Sequence, residues 1–165
     1  TVSGAVNLLV LVWLYDQKHP IPAQKKCVWA ILFLAWLFSS LPCMVDYNLW
    51  GDDWGFHLLR VEGLISGLAD GQFPVRIQGN WLRGYGYAVS VFYSDLFLVI
   101  PMLFRLIGFP VATSWNLFLA VINGATLLIA WQCFRRCFRN ETAGAAAAVL
   151  YTLSAYRLYN LYSRA

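Results

Sequence analysis

Two carboxylates, Asp52 and Asp53, stand side by side in the stretch NLWGDDWGFHLLR, and His57 and Arg60 follow at spacings of four and then three residues. On a helix that spacing puts Asp53, His57 and Arg60 on one side. A carboxylate there can take a proton from a hydroxyl, an arginine fork can hold a phosphate, and a histidine can position either partner. Arg76 and Arg83 follow in a Gly- and aromatic-rich stretch, GLADGQFPVRIQGNWLRGYGY (67–87). They are further candidates for a lipid phosphate, or for snorkelling to headgroups. Asp95, in FYSDLF, is an acid inside an apolar segment and is a functional candidate on that ground. Gly-Asp before an apolar helix is also an ordinary N-cap arrangement. Capping accounts for one aspartate, Asp53 by position, and leaves the second to be explained. Two carboxylates offer a start for a divalent cation but are too few to name one. GYGY lacks the spacing and the Lys-Ser/Thr of a phosphate-binding loop.

These residues are set in a greasy chain. Of 165 residues, 60% are hydrophobic and 12% charged, and the mean hydropathy is +0.58. Soluble domains are about 45–50% apolar, so the composition predicts an all-α, polytopic integral membrane protein. Residues 1–15 form one apolar segment. The basic loop 16–26 follows, then Cys27 to Val45 is uncharged for nineteen residues, enough for one span. Residues 46–90 are the long polar stretch. Within it, WGFHLLRVEGLISGLAD (54–70) has helical periodicity, with Leu58, Val61, Ile65 and Leu68 on one face. That pattern predicts a short amphipathic helix on the membrane surface. Segment 91–105 is apolar, carries Asp95 and is interrupted by Pro101, which predicts an interfacial or re-entrant helix. Pro110 starts the next helix, with 111–134 as a crossing. A small-residue helix, 141–157, follows, and its AGAAAA face suits close packing.

Charge gives the topology. Six of the eight acids lie between Asp46 and Asp95, whereas basic residues collect in 16–26 and RRCFR (135–139). The positive-inside rule places both basic loops in the cytoplasm and 46–105 outside. The chain then divides into 1–45, two spans joined by the loop 16–26; 46–105, an external loop with surface or re-entrant helices and the acidic motif; and 106–165, two further spans. The alternative, two full crossings within 91–134, would place RRCFR outside. The net charge of +4 is thus topological and calls for no nucleic-acid partner. The four cysteines form no C-x-x-C pair, which suggests neither a zinc site nor a disulfide framework. The start at Thr1, without a basic n-region, and an uncapped end at LYNLYSRA read as a fragment of a longer membrane protein.

GDDWGFHLLRVEGLISGLADGQFPVRI, followed by GYGYAVSVFYSDLFLVIPMLFRLIGF, resembles the family of 6-pyruvoyl-tetrahydropterin synthase-related membrane domains. More loosely it is similar to YfhO-like and other GT-C-type glycosyltransferases. The resemblance implies a GT-C-like helical bundle, of which this is the amino-terminal part. It also implies a sugar taken from a polyprenyl-phosphate carrier at the outer bilayer face, with membrane lipids as surroundings. In that reading Asp52 or Asp53 is the base, while His57, Arg60, Arg76, Arg83 and Asp95 serve substrate. Sugar and acceptor are left open. The competing class is a non-catalytic membrane scaffold or a lipid-handling, flippase-like module. Soluble pterin synthases rely on a histidine-ligated zinc. This chain has two histidines, His19 and His57, on opposite sides in the topology above, so three-ligand zinc chemistry has no candidate.

Overall fold

The structure is a computed structural model and describes residues 22–44 and 52–163. The expected apolar segment 1–15, most of the basic loop 16–26, and residues 45–51 lie outside the described residues. Among the described residues the architecture is helical: α1 (Ala23–Ser40), α2 (Trp54–Ala69), α3 (Val89–Phe92), α4 (Val99–Leu106), α5 (Val111–Phe138), α6 (Glu141–Thr152) and α7 (Ala155–Tyr162). Short 3-10 turns add Leu41–Cys43, Leu82–Gly84 and Leu96–Leu98.

Among the described residues two helices are long and apolar enough to cross a bilayer, Ala23–Cys43 and Val111–Phe138, at 21 and 28 residues. Pro42 is confined to the 3-10 turn at the end of the first, and Gly124 inside the second faces Trp36. Pro22 and Pro110 sit immediately before α1 and α5, where a missing N–H costs nothing. The two helices run antiparallel. Gln24 Nε2 donates to Thr142 Oγ1 at 3.2 Å, Trp29 packs edge-on against Trp131, and Trp36 Nε1 donates to the Ala120 carbonyl at 2.8 Å. Lys25 and Lys26 therefore share one end of the bundle with Arg135, Arg136 and Arg139.

The long helix α5 serves two cores. Its C-terminal half packs Leu127, Ala130 and Trp131 against Val28, Leu32 and Ala35 of α1 and Ala145 and Ala148 of α6. Its N-terminal half packs Trp115, Phe118 and Leu119 against Val61 and Leu64 of α2, with Val75 and Leu98. The α5–α6 hairpin depends on Gly144. A Cβ there would lie 2.6 Å from the Arg135 backbone, so the alanine-rich face does pack closely.

Two expectations are revised. The helix expected over 141–157 is two helices, broken at Leu153 and Ser154. Helix α6, at 12 residues, rises roughly 18 Å, short of a bilayer core of about 30 Å. Segment 91–105 is α3, an extended turn, the 3-10 turn and α4. Pro101 does not break α4; it occupies the first turn of that helix, where its N–H would be unbonded anyway. The continuous piece Leu96–Leu106 rises about 16 Å.

The polar loop between α2 and α3 lies on glycines. Gly63 and Gly67 face it, and a Cβ at Gly63 would overlap Gln78 Oε1. Gln78 is fully buried. It takes a 2.9 Å bond from Trp81 Nε1, donates to Ser90 Oγ at 3.0 Å, and pairs through its backbone with Tyr87. The turn so closed holds Leu82 and Arg83 at φ 53° and 59°, a region non-glycine residues rarely occupy.

Candidate functional site

Helix α2 begins where the sequence places it, after Asp53. The Asp53 carbonyl accepts from the His57 N–H at 2.9 Å. Its carboxylate makes no capping bond. Asp52 and Asp53 are both exposed, so neither side chain is consumed by the cap that the sequence offered as the bland explanation. The Asp52 N–H donates to the Ser163 carbonyl at 3.1 Å, which ties the start of α2 to the end of α7.

Two turns further in, Arg60 is 1% exposed. Its Nη2 donates to Asp95 Oδ1 at 2.8 Å and to the Ser94 carbonyl at 2.7 Å. The guanidinium sits 5.4–5.5 Å from the ring centroids of Phe56, Tyr93 and Phe97, within the range of cation–π attraction. A buried arginine survives because a carboxylate and three quadrupoles offset its desolvation. Arg60 thus holds the 93–98 turn against α2 and has no surface left for a lipid phosphate. Asp95, 24% exposed, keeps a partial face to solvent.

His57 is half-buried between these groups. Its ring stacks on Trp115 at 5.0 Å and 17° and meets Phe56 and Phe97 edge-on. Burial lowers its pKa from 6.5, the Arg60 charge lowers it further, and Asp53 opposes both. Four buried polar atoms in this cluster find no hydrogen-bond partner among the described residues: Trp54 Nε1, His57 Nδ1, Arg60 Nε and Trp115 Nε1. The arrangement is two exposed carboxylates at a helix start, followed on the same helix by a half-buried histidine and a buried arginine packed among aromatic rings.

The remaining candidates lie apart. Arg76 and Arg83 are exposed, and among the described residues neither takes part in an ion pair or side-chain hydrogen bond with the cluster. No group of three His, Cys, Asp or Glu side chains converges among the described residues.

A second polar centre had no counterpart in the sequence reading. Asn123, fully buried in the middle of α5, donates to Tyr162 Oη at 2.8 Å and to the Ser39 carbonyl at 3.2 Å. Its Oδ1 accepts from Arg157 Nη2 at 2.8 Å. Tyr162 also donates to the Ser39 carbonyl. This knot joins α1, α5 and α7. The available signal was an amide inside the uncharged run 106–134.

No family model matches the chain, and no solved structure matches it. The chain is similar to an uncharacterized protein of Lactococcus lactis subsp. cremoris, with 30% identity over 120 residues. The match covers 68% of this chain and 19% of that protein, so the chain spans about a fifth of the length of the relative it matches.

Proposed function

We propose that this chain is the amino-terminal part of a polytopic membrane glycosyltransferase, which moves a sugar from a polyprenyl-phosphate carrier to an acceptor at the outer bilayer face. The observation that carries the reading is the exposed Asp52–Asp53 pair at the start of α2, where no cap bond consumes the Asp53 carboxylate. The motif resemblance supplies the lipid-linked donor.

The membrane placement is supported by exposure. Only 28% and 33% of the residues in the apolar windows of α1 and α5 are buried, whereas a core helix of a soluble protein would be mostly covered. Trp29, Phe33, Leu34 and Phe38 of α1 are 49–62% exposed, which suits lipid contact. The shared basic end would face the cytoplasm. The Asp52–Asp53 cluster, at the other end, would face outward.

In the reaction, Asp52 or Asp53 takes the proton of the acceptor hydroxyl as its oxygen attacks the anomeric carbon. The bond from that carbon to the carrier phosphate breaks, and the phosphate leaves with the electron pair. Arg76 and Arg83 are the candidate partners for that phosphate. Arg60 acts one step back, as a positioning residue that holds Asp95 and the 93–98 turn. The test is an Asp52→Asn/Asp53→Asn variant of the full-length protein, assayed for transfer from a polyprenyl-phosphate sugar. Loss of transfer supports the reading. Unchanged transfer favours the non-catalytic scaffold or lipid-handling module.

A further inference from the structure

Arg157 is the one half-buried arginine among the described residues that meets no carboxylate. Arg60 pairs with Asp95, Arg105 with Glu62, and Arg135 lies 3.9 Å from Glu141. Arg157 has only neutral partners, Asn123 Oδ1 at 2.8 Å and the Thr152 carbonyl at 3.1 Å. These use two of its five N–H donors. A partly desolvated cation left without a counter-charge is costly, and an anion brought to it recovers charge-assisted hydrogen bonds.

The surroundings say what kind of anion. Arg157 lines a cleft of about 570 Å³ with Ile122, Thr126, Tyr151 and Ser154. Thr126 and Tyr151 also line a second cleft of about 300 Å³, which continues along Ile129, Cys133 and Phe134. Together they run along α5 from Ile122 to Phe134, roughly 18 Å. That is about one leaflet of a bilayer core near 30 Å thick. The cationic end has a definite height. Asn123, the partner of Arg157, bonds the Ser39 carbonyl in the last turn of α1. Tyr156 and Tyr159, both exposed, flank Arg157 on α7 as interfacial aromatics do. The apolar end points toward Arg135 and Lys25.

We propose that this groove binds one phosphate-headed membrane lipid, with the phosphate on the Arg157 guanidinium and one chain along α5 and α6. The inference rests on the membrane-crossing part of the reading above and not on its transferase part. Lipid binding would hold the α6–α7 break in place, because the headgroup and chain bridge α5, α6 and α7.

The experiment uses the full-length protein in detergent with phosphatidylglycerol carrying a photoreactive group in one chain. Cross-links are expected on residues 126–134 and on Tyr151. Unlabelled phosphatidylglycerol should compete for them. Diacylglycerol, which has the chains without the phosphate, should not, nor should inorganic phosphate, which lacks the chains. Arg157→Gln should weaken labelling about tenfold, as expected for loss of one charge-assisted contact. Labelling spread evenly over the lipid-facing sides of α1 and α5 would overturn the proposal, as would equal competition by diacylglycerol or displacement by inorganic phosphate. If Arg157→Gln does not fold, the site and competition pattern of the wild type decide alone. Asp52→Asn/Asp53→Asn should bind the lipid as wild type does, so failure of the transferase reading and failure of this one are separately visible.

Discussion

Replacing Arg60 by Met keeps an unbranched side chain among Phe56, Tyr93 and Phe97 and removes the charge. The partner is left behind: Asp95, 24% exposed, loses a 2.8 Å bond. The Ser94 carbonyl loses its donor as well. Removing one member of a buried pair costs about 3–5 kcal/mol. Partial hydration of Asp95 places this case at the lower end, about 3 kcal/mol. For a chain of this size that is a fall of roughly 6–12 °C in the midpoint of thermal unfolding. The internal control is Arg105→Gln. Arg105 and Glu62 are 2.7 Å apart but 37% and 36% exposed, and exposed pairs contribute at most about 1 kcal/mol. The assay is urea unfolding in micelles followed by tryptophan fluorescence, with Asp95→Asn and the double variant closing a cycle. Coupling between Arg60 and Asp95 should be about 1–3 kcal/mol. If Arg60→Met and Arg105→Gln differ by less than about 0.5 kcal/mol, or the cycle shows no coupling, the buried pair does not hold the 93–98 turn as argued.

Three further outcomes follow from the same geometry. His57 should titrate below 6.5 by NMR. The unfolded chain then binds a proton that the fold refuses, so stability is full above pH 6.5, is lost as pH falls through the folded pKa, and loses less in His57→Gln. Gly63→Val should displace Gln78 and open the 71–88 turn to proteolysis, whereas Gly55→Ala, with nothing within 4 Å, should be neutral or gain about 0.5–1 kcal/mol; equal proteolysis of the two would remove the glycine seat from the account. Reporter fusions at residues 80 and 137 should give external and cytoplasmic signals respectively, and an external signal at 137 contradicts the shared basic end facing inward.

The start of α2 was legible because Gly-Asp-Asp precedes a clean periodic run. Its buried face was less so. Sequence periodicity centred the face on Leu58, Val61, Ile65 and Leu68 and put Arg60 among the substrate candidates. In the fold Arg60, Val61, Gly63, Leu64 and Gly67 are buried, because Asp95, 35 residues away, neutralises the arginine and the polar loop presses on the glycines. Both members of that pair were singled out from sequence, but their pairing is a long-range fact that no local pattern carries. The break between α6 and α7 was missed because Leu153 and Ser154 include neither Gly nor Pro. There the chain turns so that Arg157 and Tyr162 reach Asn123 on another helix. The long apolar helices, in contrast, follow from composition alone.

The most direct measurement is single-turnover transfer by the full-length protein in vesicles, with a labelled polyprenyl-phosphate sugar. Wild type and Asp52→Asn/Asp53→Asn should bind the donor alike. The chemical step should slow by about 10²–10⁴-fold in the variant, the range expected for loss of a general base. An equal rate in the two proteins, with donor binding intact, would contradict the assignment of the exposed aspartates to catalysis.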